Sequence, residues 1–222
     1  MKVATAEFAA NLAFGKIAES LIAKWLIRKG IGVLPVYEKE LDHGKGPQLF
    51  TNIGSFVAPD ICAIKWGEPL WIEAKHKSVF TWYRNGRPPR WETGIDLNHW
   101  QDYIKATKFS GWQTFLLFLH EESTPDERDR KWGCPEQCPV GLFGHRISYL
   151  IKHVSHTSPN WGRHGMVYWA QSNLLFLASV EEVKSNDPIR DIVTPSPRAV
   201  RPLRTDTTTQ LAFMTDCAKE LI

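Results

Sequence analysis

Two acids and one base stand in an order that suits phosphate chemistry. Asp60 follows Pro59, twelve residues separate it from Glu73, and Lys75 comes two positions after Glu73. Residues two apart on a strand share a face, so Glu73 and Lys75 project together while Ala74 points the opposite way. Leu70, Ile72 and Ala74 then form the row that faces the interior. A carboxylate and an ammonium set into an apolar strand carry an electrostatic cost unless something is gained there. If Asp60, on the preceding strand, lies opposite them, two carboxylates converge beside one ammonium. Two carboxylates with open coordination positions suit Mg²⁺ or Mn²⁺, since hard Mg²⁺ keeps several waters and takes oxygens from a phosphate. Such an ion polarises a phosphodiester and acidifies a bound water, while Lys75 orients that water or stabilises developing charge.

Residues 5–29 have the spacing of a helix that precedes these groups. Phe14, Ile17, Ala18, Leu21, Ile22 and Trp25 recur at three- and four-residue steps, and Gly30 stops the run. Strands are expected over 32–40, 57–65 and 70–76, the last after the turn Gly67-Glu68-Pro69. The stretch 77–95 carries Asn85-Gly86 and Pro88-Pro89 and reads as a hairpin excursion. A second helix fits 96–110, capped by Asp96 and ended by Gly111, with Leu97, Trp100, Ile104 and Phe109 turned inward. The apolar run 114–119 suits a strand buried on both faces. Residues from about 121 to 165 have the composition of an inserted Cys/His-containing segment, and 166–169 with 174–180 suggest a closing hairpin. The expected organisation is one domain over 1–183, then a Pro/Arg-rich linker and a short helix over 184–222. The fold class is mixed α/β, with the order helix, three strands, helix, strand.

Pro59-Asp60, a spacer and Glu73-Ala74-Lys75 resemble the PD-(D/E)xK nuclease superfamily, which has the restriction-endonuclease-like fold. The element order over about residues 5–120 resembles that superfamily's α-β-β-β-α-β core, a mixed central sheet flanked by helices. Gly15-Lys16-Ile17-Ala18-Glu19 is similar to the Gly-x-x-x-Glu helix of Holliday-junction resolvases, whose acid joins the metal site. Gln101 resembles the helix-borne Gln of the resolvase and RecB-like branches. The RecB pattern has a Tyr four residues after that Gln, whereas here Lys105 holds that place and Tyr103 lies two residues after Gln101. Thr93-Gly94-Ile95-Asp96 with Phe118-Leu119-His120 has the look of a phage-type branch. The resemblance implies hydrolysis of DNA phosphodiester bonds, branched DNA included. It implies Mg²⁺ or Mn²⁺ held by Asp60, Glu73 and the Ala74 carbonyl, with Glu19 assisting and Lys75 orienting the nucleophile. Branched-DNA cutters and many restriction enzymes act as dimers, so a homodimer is compatible with it. A nucleic-acid-binding protein that keeps this fold without turnover is the alternative, and the intact Asp60, Glu73 and Lys75 argue against it.

Beyond the motif, Lys77, Arg84, Arg87 and Arg90 alternate with Phe80, Trp82, Tyr83 and Trp91. Arginines neutralise phosphates and aromatic rings stack on bases, so Lys77, Trp82, Arg84, Arg87 and Arg90 are candidate DNA contacts. Cys134 and Cys138, with two of the later histidines such as His153 and His156, are a candidate structural zinc site. The chain has ten Trp among 222 residues and a formal charge of +3, which permits a polyanionic partner. Four cysteines do not form a disulfide framework, no run approaches the roughly 20 apolar residues of a membrane span, and Met1 to Asn11 lacks a signal-peptide pattern. A reducing, cytoplasmic setting is therefore expected.

Overall fold

The computed structural model describes residues 6–35, 47–52 and 54–185. Apolar side chains at Ala18, Ile22, Trp25 and Leu26 are all buried and lie along one stripe of helix α1 (Ala6–Arg28). Gly30 ends the helix with φ +79, a left-handed conformation that costs glycine least, and its N–H reaches the Ile27 carbonyl at 2.9 Å. The first strands are β1 (Gly32–Pro35), β2 (Gln48–Thr51), β3 (Gly54–Val57), β4 (Ile61–Lys65) and β5 (Glu68–Lys77). There follow β6 (Thr81–Tyr83), β7 (Arg90–Asp96), α2 (Leu97–Ser110), β8 (Gln113–His120) and α3 (Glu127–Lys131). The described chain ends with β9 (Gly141–Arg146), α4 (Ile147–Leu150), β10 (His156–Ser158), β11 (Met166–Ala170), β12 (Leu175–Ala178) and α5 (Val180–Lys184).

A six-stranded central sheet has the order β1-β4-β5-β8-β9-β12. It is mixed, because β5 and β8 run parallel while the other neighbours run antiparallel. The parallel pair needs a crossover, which β6, β7 and α2 supply. Helix α1 covers one face, packing on Ile61, Ala63, Ile72, Ala74, Phe115 and Leu117. Helix α2 and a second sheet, β10-β11-β7-β6, cover the other. There Trp100, Tyr103, Ile95 and Trp169 meet Leu116 and Phe118. Thus the odd-numbered residues of β5 point away from α1 and towards α2.

The register of β4 against β5 is set by a two-residue turn. Trp66 and Gly67 both have positive φ, 56° and 84°, as a hairpin turn matched to strand twist requires. Lys65 then pairs with Glu68 and Ile61 with Ile72, which brings the residue before Ile61 opposite the residue after Ile72.

Several expectations need correction. The strand expected over 57–65 is two strands, β3 and β4, parted at Ala58-Pro59-Asp60, because β3 pairs with β2 instead. The expected insertion contains β9, which pairs with β8 in the central sheet. β11 and β12 do not form a hairpin: β11 pairs with β7 and β10, β12 with β9, and a 3₁₀ turn carries the chain between sheets. In α2 the buried residues are Trp100, Tyr103 and Ala106, whereas Phe109 is exposed. The latter half of the strand expected over 32–40, the expected linker beyond residue 185 and the helix expected near 208–221 lie outside the described residues. No described helix is long and apolar enough to cross a membrane.

Candidate active site

Glu73 sits in the middle of β5 with no solvent exposure, so each of its two carboxylate oxygens needs a partner from the protein. Three donors answer it. The Asp60 backbone N–H donates to Oε2 at 3.3 Å, the Tyr103 hydroxyl donates to Oε1 at 2.5 Å, and the Lys75 ammonium pairs closely with Oε1. Asp60 is held in return, its Oδ2 accepting the Ala74 N–H at 3.2 Å. These reciprocal backbone contacts lock the loop before β4 against β5, and they follow from the turn-fixed register. Lys75, on the same face as Glu73, also lies 5.9 Å from the centre of the Tyr103 ring.

The electrostatics describe a crowded anionic site. Burial, and then the Glu73 carboxylate, push the Asp60 carboxyl up to about 7, and Lys75 only partly offsets this. Burial works to lower the Lys75 pKa, but Glu73, Asp60 and Glu19 together hold it above the usual lysine range. Glu19 of α1, partly buried, therefore contributes to the field at the ammonium although it comes from the far layer. Burial and the Glu73 charge raise the Tyr103 hydroxyl well above its ordinary value, which keeps it a donor. Lys77, next along the same face, is pushed down to about 8 by burial and by Lys75. His99 is pushed down by burial and then by Lys75, and His76 is turned to Glu121 at 2.8 Å.

Two carboxylates facing one ammonium suit a divalent cation. A cation there would offset the burial and the Glu73 charge that together make Asp60 hard to ionise. Asp60, Glu73 and the Ala74 carbonyl would hold it, and the remaining positions would go to water and phosphate oxygens. Among the described residues no group of three or more His, Cys, Asp or Glu side chains gathers as a ligand set.

The other sequence-derived residues are dispersed. Gln101 is exposed on α2, and the side chain from this helix that reaches Glu73 is Tyr103. Sequence reasoning passed over Tyr103, although Trp100, Tyr103 and Ala106 share the buried stripe of α2 and Gln101 falls off it. Of the DNA-contact candidates, Arg84 and Arg87 are exposed, while Lys77 and Trp82 are half-buried. Arg90 is turned inward, where its Nε donates to buried Glu92 at 2.8 Å and its guanidinium reaches Ser155. The zinc candidates do not converge. The Cys138 thiol is buried and donates to the Glu122 carbonyl at 3.2 Å. His153 stacks on Tyr149, and His156 pairs with Glu92 at 3.1 Å. Burial raises both the Cys134 and Cys138 pKa values, so neither thiol is predisposed to be the thiolate that zinc takes.

No family model matches this chain, and no curated protein matches it by sequence. Among solved structures, a match is found to Archaeoglobus fulgidus Hjc, a Holliday junction resolvase from an archaeal hyperthermophile. The identity is 10%, the match covers 72% of this chain and 90% of that one, and the TM-score is 0.40.

Proposed function

We propose that the chain is a metal-dependent nuclease that hydrolyses DNA phosphodiester bonds, with the restriction-endonuclease-like arrangement inferred from its sequence. The observation that carries this reading is the convergence of Asp60, Glu73 and Lys75 on one face, cross-linked through the Asp60 and Ala74 backbone. A bound Mg²⁺ or Mn²⁺ would polarise the scissile phosphate and lower the pKa of a coordinated water. Asp60 and Glu73 supply the charge that attracts the ion. Lys75 remains protonated throughout the working pH range and steadies the attacking water or the developing negative charge. Tyr103 fixes the Glu73 carboxylate by donating to one oxygen. Arg84 and Arg87, exposed beyond the end of β6, would neutralise DNA phosphates.

The test is a cleavage panel of linear, nicked, flapped and four-way DNA, with Mg²⁺ or EDTA, for wild type, Asp60→Ala and Lys75→Ala. Cleavage that requires the metal and is lost in both variants is expected. Metal-dependent cleavage that survives either substitution rejects the assignment.

A further inference from the structure

Away from the carboxylate pair, three separate segments bring flat cations and flat rings into one stack. The Arg84 guanidinium lies 4.3 Å from the Trp132 ring centre, and that of Arg128 lies 5.1 Å from Trp132 and 5.4 Å from Trp161. Arg84 follows β6, Arg128 is in α3, Trp132 ends α3, and Trp161 lies between β10 and β11. Large indoles are normally drawn into a core, yet Trp132 is 38% and Trp161 55% exposed. The stack is anchored from beneath. Asp129 is fully buried, accepts the Trp82 N–H at 2.8 Å and pairs with Arg128 at 3.2 Å, tying α3 to β6. On neighbouring strands a second stack is half-buried: His156 lies between Tyr83 and Tyr168, 4.2 and 4.7 Å away and with its ring nearly parallel to each.

We infer that this Arg84–Trp132–Arg128–Trp161 ladder is a binding site for unpaired single-stranded DNA. The inference rests on the nuclease reading for its purpose, since it names the form of substrate delivered to the centre. A nucleobase presents a π-face of the kind the exposed indole takes, and each base is joined to an anionic phosphate that a guanidinium edge can meet. Duplex DNA hides its base faces and offers only phosphates to such a surface. The nine residues from Lys75 to Arg84 keep the ladder within roughly 30 Å of the centre by chain reach.

Binding of labelled oligo-dT and of a duplex of equal length is measured by fluorescence anisotropy in EDTA. The proteins are full-length wild type, Trp132→Ala, Trp161→Ala, Trp161→Phe, Arg84→Gln and Lys24→Gln. Each Trp→Ala change is expected to weaken oligo-dT binding about tenfold, and Trp161→Phe to recover most of it. Arg84→Gln is expected to reduce the salt slope by about 0.7. Duplex affinity of the Trp variants, and oligo-dT binding by Lys24→Gln on the exposed side of α1, should match wild type. Unchanged oligo-dT binding in both Trp→Ala variants at unaltered melting temperature overturns the inference, as does tighter binding of a polyglutamate peptide than of oligo-dT. If these rings bind oligo-dT but Mg²⁺ supports no cleavage, the ladder stands and the nuclease reading falls. Cleavage without any role for the rings gives the reverse.

Discussion

Replacing Asp60 by Asn should make the protein more stable in neutral and alkaline solution, while disabling the centre. The folded state raises this carboxyl from 3.8 to about 7, chiefly by burial and by the Glu73 charge. The folded form therefore holds a proton that the unfolded chain has released. Stability from this group is full at a pH below the unfolded value, falls as pH rises towards the folded value, and stays low beyond it. Between about pH 5 and about pH 8 the fall is roughly 2–3 kcal/mol. Asn has no such proton and keeps an oxygen for the Ala74 N–H, which Asp60 now meets at 3.2 Å. Lys75 titrates above this window and adds no slope. Thermal melts in EDTA across that range, wild type against Asp60→Asn, isolate the effect. Their difference should change by about 5–10 °C, with the variant the more stable at high pH. A difference that does not move with pH, or a variant less stable at about pH 8, refutes the reasoning that Asp60 is a buried, crowded carboxyl.

Other consequences are equally open to measurement. Tyr103→Phe removes a hydroxyl that donates to buried Glu73, so a loss of about 1.5–3 kcal/mol is expected, seen as a lower melting temperature together with slower cleavage. Gly94→Ala would set a Cβ 2.5 Å from the Val167 carbonyl oxygen and 2.6 Å from the Tyr168 ring, where β7 and β11 are in register. It should cost about 1–3 kcal/mol in denaturant unfolding, and a neutral result would contradict the close β7–β11 packing. Asp129→Ala strands the Trp82 N–H and frees α3, so about 1–3 kcal/mol of stability and the oligo-dT affinity should fall together. Mg²⁺ should raise the melting temperature of wild type by mass action and leave that of Asp60→Asn unmoved, read by the same melts.

Local signals carried much of the architecture. The apolar stripe of α1, the Asp96 cap and the Gly111 stop of α2 are short-range features, and the elements lie where they point. The hairpin turn at Trp66-Gly67 lets two-residue periodicity bring Asp60, Glu73 and Lys75 to one place. What sequence did not disclose depends on long-range pairing. β9 lies beyond a Cys/Pro-rich stretch, and nothing local says it will join β8. β11 and β12 look like hairpin partners because both are short and apolar, yet each finds a better-matched edge in a different sheet. Tyr103 was noted as a displaced counterpart of the RecB-type Tyr, but its inward direction follows from the buried stripe of α2, while Gln101 drew attention by resemblance to other proteins. Arg90 was expected at a phosphate and instead neutralises Glu92, a buried acid two residues on. The Arg–Trp ladder joins residues 84 and 161 to the i,i+4 pair Arg128 and Trp132, and that long-range combination has no local signature.

The most direct measurement is nicking of a circular plasmid by wild type and Asp60→Asn over a Mg²⁺ titration, with the folded state of each verified by its melting curve. Wild type should nick in proportion to bound Mg²⁺, stop in EDTA and resume when Mg²⁺ is restored. The folded variant should be slower by about a hundred- to a thousandfold, as loss of a preorganised electrostatic group entails. Equal nicking by both proteins, or nicking by wild type in EDTA, would contradict the account.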